Sequence, residues 1–460
     1  MVFLRQYQFS PVVILALAEF AAFFVSPILA SLLFTDDGAW HYGVIALLRA
    51  TNYALVMSLA MMAMGLYDRG QRATLQGILL RVAAGLAGGS AVVGLESYLL
   101  PVLQIARGVL GAAVLVSIAL TAISRIAFER FADDNIFRRR VMVIGAGKRA
   151  RSIAQLRRRS DLRAFHIVGF LAVDGDGPVV PNDRLLTVDS SLADYCRRSA
   201  VDEIVVAMDD RRRSFPVHDL LECRVRGVEV TDLVDFLERE TGKLRLDVLN
   251  PSWIIFSPGF SRGAWRRMSE RWFDLAVSAV VLALASPVML LTAIAIKLED
   301  GLAAPVLYRQ LRVGLEGRNF FVLKFRSMRV DAERDGAQWA AKQDPRVTRV
   351  GSLIRKIRVD ELPQLLNVLK GEMSFVGPRP ERPEFVALFE DKIPYYRERH
   401  YVKPGITGWA QLCHSYGASE ADALLKLEYD LYYVKNRSLL FDVMILLRTI
   451  EVVLWGKGGR

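Results

Sequence analysis

The sequence is poor in the residues that most often hold metals or act as nucleophiles, with three cysteines and five histidines in 460 residues. Cys196, Cys223 and Cys413 stand far apart and form no CxxC or Cys/His spacing, which excludes a zinc ribbon or finger and leaves reduced, structural, cytoplasmic thiols as the expectation. The histidines supply no metal-rich cluster and no Ser/His/Asp order, and no glycine loop carries a Walker lysine. What the chain has in excess is apolar surface. It is 52% hydrophobic with a mean hydropathy of +0.25, too long for one ordinary domain and too apolar for an ordinary soluble protein. A net charge of +11 suits anionic partners such as lipid headgroups, nucleic acid or phosphorylated small molecules, without choosing among them.

Pro11 to Phe34 is a run of 24 residues whose only charge is Glu19, long enough to cross a hydrocarbon core of about 30 Å and too long for a signal peptide. Similar stretches at 43–66, 74–96 and 102–124 are interrupted by Arg49, Arg81 and Arg107, with Glu96 at the end of the second, giving four expected spans. Arg49 and Arg81, near helix ends, are expected to snorkel to headgroups rather than mark a lipid site. The loop TDDGAW lacks Lys and Arg, YDRGQR has two, and SRIAFERFADDNIFRRR has five, so both ends of the four-helix unit are expected to face the cytoplasm.

RRRVMVIGAGKRARSIAQLRRR (138–159) reads as strand, glycine turn and helix. Gly145, Gly147 and Ala150 satisfy G-x-G-x-x-G/A, a pattern that lets a phosphate approach backbone N–H groups, and Asp174 lies about where a ribose-binding acid would sit. Further strands at 202–208 and 227–233 complete a small parallel α/β unit over 138–245. A lone glycine fingerprint is weak, and a Rossmann-like domain used for packing or regulation is the favoured reading. A membrane nucleotide-sugar dehydratase is disfavoured, because residues 140–260 contain no Tyr-x-x-x-Lys pair.

After a Gly/Pro/Ser-rich linker at 246–266, Phe273 to Ile296 is again 24 apolar residues. Arg266, Arg267 and Arg271 precede it and Lys297, Arg309, Arg312 and Arg318 follow it, so both flanks call for the inside. Proline removes a backbone donor and disfavours helix at the residue before it, so Ser286-Pro287 is expected to break this segment into a re-entrant helix-break-helix over 272–297.

The remaining region repeats three features: fixed cations (Arg309, Arg312, Lys324, Arg326, Arg355, Arg379), the adjacent carboxylates Asp360 and Glu361, and Gly/Pro turns at 377–378, 404–405 and 407–408. An arbitrary Asp-Glu-Leu would most often be a solvated helix cap. For Arg309, Arg312 and Arg326, headgroup contact and substrate binding are equally open. YYRERHY and LLFDVMILLRTIEVVLW alternate charged with apolar residues and are expected to be interfacial and amphipathic rather than spanning. A nucleic-acid role is not expected, because the aromatics cluster with membrane-like apolar runs and no recognition motif appears.

The strings RRMSERWFD, RVG, KFRSM, DELPQLLNVLKGEMSFVGPRP, PGITGWAQ and YYVKN, with the Ser-Pro break, make residues 267–460 resemble the bacterial sugar transferase family, the monotopic polyprenyl-phosphate phosphoglycosyl transferases. The four N-terminal spans with the Rossmann-like domain resemble, more loosely, the large form of that family, which often starts exopolysaccharide repeat units. The resemblance implies transfer of a sugar-1-phosphate from a UDP-sugar to polyprenyl (undecaprenyl) phosphate with release of UMP. Asp360 would attack the sugar-bearing phosphate, Glu361 would help hold Mg²⁺, and Arg355 and Arg379 would contact phosphates. QLCHSYG departs from the Asn-Gly that follows the Gln in many relatives, which puts substrate contacts near Gln411 in doubt. The expectation is therefore a multi-pass protein of the bacterial inner membrane, α plus α/β: a four-helix transmembrane domain (1–137), a Rossmann-like domain (138–245) that would bind nucleotide, if at all, through Gly145 and Gly147, and a mainly α catalytic domain (267–460) on the cytoplasmic side. Its partners would be UDP-sugar, polyprenyl phosphate and membrane lipids, with room for a homodimer.

The chemistry supports the carboxylate pair independently. A donor diphosphate, an acceptor phosphate and a carboxylate nucleophile repel one another, so the site needs a divalent cation and several Arg or Lys. Mg²⁺ is satisfied by one or two carboxylates plus substrate phosphates and water. A carboxylate nucleophile splits the transfer into two displacements, which predicts ping-pong kinetics.

Overall fold

The computed structural model describes residues 11–33, 43–67, 75–131, 138–156, 165–173, 177, 179–188, 191–257, 259–260, 263–329, 344–414 and 419–455. Asp174 and most of the loops at 35–40 and 67–72 that carry the orientation argument lie outside them. The chain divides into two compact units, Met1–Val248 and Leu249–Arg460.

The first unit opens with four long apolar helices, α1 (Pro11–Leu33), α2 (Val44–Ala63), α3 (Leu75–Leu99) and α4 (Arg107–Phe131), all long and apolar enough to cross a membrane. The fourth starts later than its hydropathy suggests because Pro101 opens a separate 3₁₀ turn, Pro101–Leu103. Phe23, Tyr53, Met57, Met61, Val93 and Ala113 form their shared core. Gly85 and Gly89 fall four apart on one face of α3, where a Cβ on Gly89 would stand 2.6 Å from the Met57 sulfur, so small residues allow the close approach of α2 and α3. Glu19 is fully buried, paired at 2.7 Å with Arg125 and accepting a bond from Tyr67. Arg81 does not snorkel: it is 5% exposed and donates to the Met64 carbonyl, whereas Arg49 donates to the Val102 carbonyl at an exposed position. That bond to the carbonyl at the C-terminal cap of α2 gives the Arg81 guanidinium a reason to stay inside.

The α/β part contains β1 (Arg139–Ile144), α5 (Lys148–Ala154), β2 (Phe165–Leu171), β3 (Leu185–Leu186), α6 (Leu192–Arg198), β4 (Glu203–Val206), α7 (Arg211–Ser214), α8 (Val217–Val225), β5 (Glu229–Asp232) and α9 (Leu233–Thr241). The five strands are all parallel in the order β3-β2-β1-β4-β5, as the alternation of apolar strands with helical connections predicts. Met142, Ile144, Ile204 and Val206 fill the core against Cys196 and Cys223, which are free thiols.

The second unit begins inside the expected linker: α10 (Pro251–Phe256) is folded, and the Lys435 ammonium sits 4.0 Å above the Trp253 ring. Then comes α11 (Ala264–Asp300), 37 residues without interruption. The expected break at Ser286-Pro287 is absent. Pro287 cannot donate to the Ala283 carbonyl, but the Ser286 hydroxyl does so at 2.8 Å, and that substitute bond lets the helix continue. Both ends of α11 are fastened to the same unit. Near its start Arg271 donates to the Val368 and Leu369 carbonyls, and Asp274 accepts from Ser374 and the Phe375 N–H. Near its end Glu299 accepts the Arg349 and Val350 N–H groups. Between these anchors Val280, Leu284, Leu290 and Leu291 are exposed.

The rest of the unit comprises an antiparallel hairpin, β6 (Leu307–Val313) and β7 (Asn319–Phe325), then α12 (Arg349–Lys356), α13 (Gln364–Lys370), β8 (Ser374–Val376), α14 (Pro383–Lys392), β9 (Gly405–Thr407), α15 (Trp409–Cys413), α16 (Glu420–Asn436) and α17 (Leu439–Trp455). β8 and β9 pair in parallel, where a Cβ on Gly377 would meet the Lys403 carbonyl at 2.4 Å. α17 is amphipathic as expected, but it packs inward through Phe441 and Ile445, and Asp442 is buried, accepting the Tyr433 hydroxyl at 2.8 Å. In the YYRERHY segment Arg399 and His400 are likewise buried, in a 3₁₀ turn, Arg397–Tyr401.

Candidate active site

Asp360 and Glu361 lie on a 3₁₀ turn, Val359–Glu361, between α12 and α13. The turn is set by Arg358, a non-glycine residue at φ 62°, in the left-handed region that side chains with a Cβ rarely adopt. The pair does not cap a helix. The cap position of α13 is Pro363, and no side chain bonds there.

The two carboxylates have opposite surroundings. Asp360 is 9% exposed, and its Oδ1 is buried with no hydrogen-bond partner among the described residues. Burial, reinforced by the neighbouring Glu361 charge, pushes its carboxyl above the ordinary aspartate range, against the pull of Lys324, Arg358 and Arg355. For Glu361 burial also acts upward, but Arg379, Lys324 and Arg358 outweigh it and hold the group well below the ordinary range. Arg379 Nη2 lies 3.1 Å, Lys324 Nζ 3.6 Å and Arg358 Nη1 3.8 Å from Glu361 Oε1. Burial lowers the Lys324 ammonium despite Glu361, with Arg379 and Arg312 adding repulsion. One carboxylate is thus fixed as an anion in a cationic cradle, and the other is a poorly solvated, basic oxygen beside it.

Each cation reaches the site through a different element. Lys324 and Arg312 belong to one face of the β6–β7 hairpin, together with Tyr308 and Gln310, whereas Arg309 is paired with Leu323 on the opposite face and is exposed. Strand alternation therefore separates Arg309 from the site. Arg312 is committed to structure, donating to Gln310 and to the Pro380 carbonyl. Arg355, on α12, acts on Asp360 through its charge. Arg326 follows β7, and its Nη1 is buried with no hydrogen-bond partner among the described residues. Gln411, on α15, donates to the Ile406 carbonyl at 3.4 Å and lies beside Gly408, and its Oε1 is buried with no hydrogen-bond partner among the described residues.

The Pro-Arg-Pro loop that carries Arg379 is held carbonyl by carbonyl. Val376 accepts from the Tyr433 hydroxyl, Pro378 from the Gly405 N–H, Arg379 from Arg399, Pro380 from Arg312 and Glu381 from the Val313 N–H, all at 2.9–3.1 Å. Asn367 fixes the strand that bears Lys324. It accepts the Leu323 N–H at 3.0 Å and donates to the Phe321 carbonyl at 2.7 Å, closing the free edge of β7. Sequence reasoning missed Arg358, Asn367 and Arg399, although a fourth cation two residues before Asp360 was a readable sign of the first.

A metal could use little protein here: among the described residues no group of three or more His, Cys, Asp or Glu is arranged to hold one. Glu361 as a single ionised carboxylate, with the unpartnered Asp360 oxygen adjacent, nevertheless fits Mg²⁺, which takes its other ligands from phosphates and water.

A family profile described as "Bacterial sugar transferase" matches residues 265–456, the region that contains every group above. A Rhizobium leguminosarum exopolysaccharide production protein, PSS, is 42% identical over 196 residues, 97% of its length and 41% of this chain. The chain belongs to the bacterial sugar transferase family. Within it, a UDP-N-acetylgalactosamine-undecaprenyl-phosphate N-acetylgalactosaminephosphotransferase of Aeromonas hydrophila is 44% identical over 244 residues, 52% of this chain and 56% of that protein. An undecaprenyl-phosphate glucose phosphotransferase of Komagataeibacter xylinus is 34% identical over 332 residues, covering 70% of this chain and 60% of the relative. The chain thus spans somewhat more than half the length of these two sugar transferases.

The glycine fingerprint of the first unit has a different occupant. Gly145 adopts φ 113°, and a Cβ on it would strike the Ala207 carbonyl at 2.6 Å, so its role is strand approach. Beside Gly147 the Asp209 carboxylate accepts the Lys148 and Arg149 N–H groups at 2.8 and 2.7 Å. An internal carboxylate takes the donors that a dinucleotide phosphate would use.

Proposed function

We propose that the chain transfers a sugar-1-phosphate from a UDP-sugar to undecaprenyl phosphate at the cytoplasmic face of the inner membrane, releasing UMP and beginning an exopolysaccharide repeat unit. The observation that carries this reading is the buried, unpartnered Asp360 oxygen beside a Glu361 held ionised by three cations. Asp360 attacks the sugar-bearing phosphorus, the bond to the UMP oxygen breaks, and UMP leaves. An oxygen of the polyprenyl phosphate then attacks the same phosphorus and returns the carboxylate. Desolvation makes Asp360 a stronger base than an exposed aspartate and strengthens the electrostatics around it. Arg379 and Lys324 stabilise charge on the phosphoryl oxygens, with Arg355 as a further phosphate contact. Mg²⁺, held by Glu361 and the donor phosphates, supplies Lewis-acid neutralisation when bound.

The exposed apolar middle of α11, whose two ends are fastened to the catalytic unit, is the surface that this reading places against the bilayer. In nanodiscs with undecaprenyl phosphate and Mg²⁺, the wild-type chain should release UMP from at least one member of a UDP-sugar panel, and Asp360→Asn should not. Undiminished release by Asp360→Asn refutes the reading.

A further inference from the structure

Arg399 and Asp430 are 5% and 2% exposed, and Arg399 Nη2 lies 2.7 Å from the Asp430 carboxylate. The same Nη2 donates to the Arg379 carbonyl at 3.0 Å, and Nη1 donates to the Tyr396 hydroxyl at 2.8 Å. Neither member of this pair contacts the carboxylates of the reaction. Burying a charge pair is costly, and apolar residues of the same shape often serve stability as well, so stability alone does not explain it. Its geometry does have a use. Arg379 follows Pro378 and precedes Pro380, so neither flanking residue can donate a backbone bond, and the loop must be located through its carbonyls. Asp430 on α16 orients the Arg399 guanidinium, Arg399 fixes the backbone of residue 379, and that backbone delivers the Arg379 fork to Glu361 at 3.1 Å.

We propose that Arg399, oriented by Asp430 and Tyr396, is a positioning residue for phosphoglycosyl transfer, acting through the Arg379 backbone to aim the Arg379 guanidinium at Glu361 and the donor phosphate. This rests on the function proposed above. The planar guanidinium bonds a carboxylate, a hydroxyl and a carbonyl together; a lysine keeps the charge but not that geometry.

The test is a double-mutant cycle on the full chain in nanodiscs, with kcat for UMP release corrected for folded protein by thermal unfolding. Arg399→Lys should lower kcat about 10- to 100-fold, the scale expected for misplacing a reacting group by about 1 Å. Repeated in an Arg379→Lys chain, whose flexible ammonium has no fork to aim, the loss should shrink below about threefold. An undiminished loss in that background, or no loss in the wild-type background, overturns the proposal. Should Arg399→Lys not fold, Tyr396→Phe, which deletes only the hydroxyl on Nη1, carries the same cycle with the same two outcomes. Failure of the function reading is separate, since wild type would then release no UMP.

Discussion

Replacing Asn367 with leucine, a residue of similar volume, should damage the second unit through hydrogen bonding rather than packing. Asn367 is fully buried, and its amide accepts the Leu323 N–H and donates to the Phe321 carbonyl and to Glu372 Oε2 at 2.7 Å. Leucine leaves two backbone groups of β7 unpaired in the interior. At about 1–3 kcal/mol for each orphaned group, the loss is about 2–6 kcal/mol. For a unit of this size, that corresponds to a midpoint lower by at least about 5 °C. Thermal unfolding of the detergent-solubilised chain at a fixed scan rate reads the difference. Because β7 also presents Lys324 to Glu361, UMP release per folded molecule should drop as well. A midpoint within 2 °C of wild type with full activity would refute the idea that this amide closes the strand edge.

Other consequences concern the site and its surroundings. Arg309→Ala should leave kcat within about threefold of wild type, whereas Lys324→Ala and Arg379→Ala, each removing a charge-stabilising cation, should each lose about 100-fold or more; steady-state UMP release distinguishes them. Since Asp360 must be ionised to attack and its carboxyl is raised, kcat/KM should fall as pH drops through a value above the ordinary aspartate range, a limb that Glu361, already ionised there, does not produce. Asp209→Ala should destabilise the first unit by about 1–3 kcal/mol through loss of two bonds to a charged acceptor, and isothermal titration of the wild-type chain with dinucleotides should give no heat of binding.

Periodicity exposed the long elements well. The apolar runs became helices and the alternating βα pattern became a parallel sheet, because burial sets both patterns locally. The failures came from single bonds. Ser286 rescues, within its own helical turn, the carbonyl that Pro287 abandons, the Met64 carbonyl keeps Arg81 inside, and Asp209 fills the glycine turn from 60 residues away in sequence. No local pattern announces the last two. Within the site, Asp360, Glu361, Lys324 and Arg379 were legible from motifs, and Arg355 acts on Asp360 by charge. Arg309 was indistinguishable from Arg312 until the hairpin register put them on opposite faces. Arg399 looked like one of several charges in an interfacial segment, and only its burial against Asp430 separates it from them.

The covalent role of Asp360 is the centre of the account, and one measurement addresses it directly. Purified chain, incubated with Mg²⁺ and its UDP-sugar but no polyprenyl phosphate, is quenched and digested for mass spectrometry. The account predicts a sugar-phosphate mass increment on the peptide containing Asp360, discharged when undecaprenyl phosphate is added and missing in Asp360→Asn. Turnover through a ternary complex, with no increment on that peptide at any time, would contradict it.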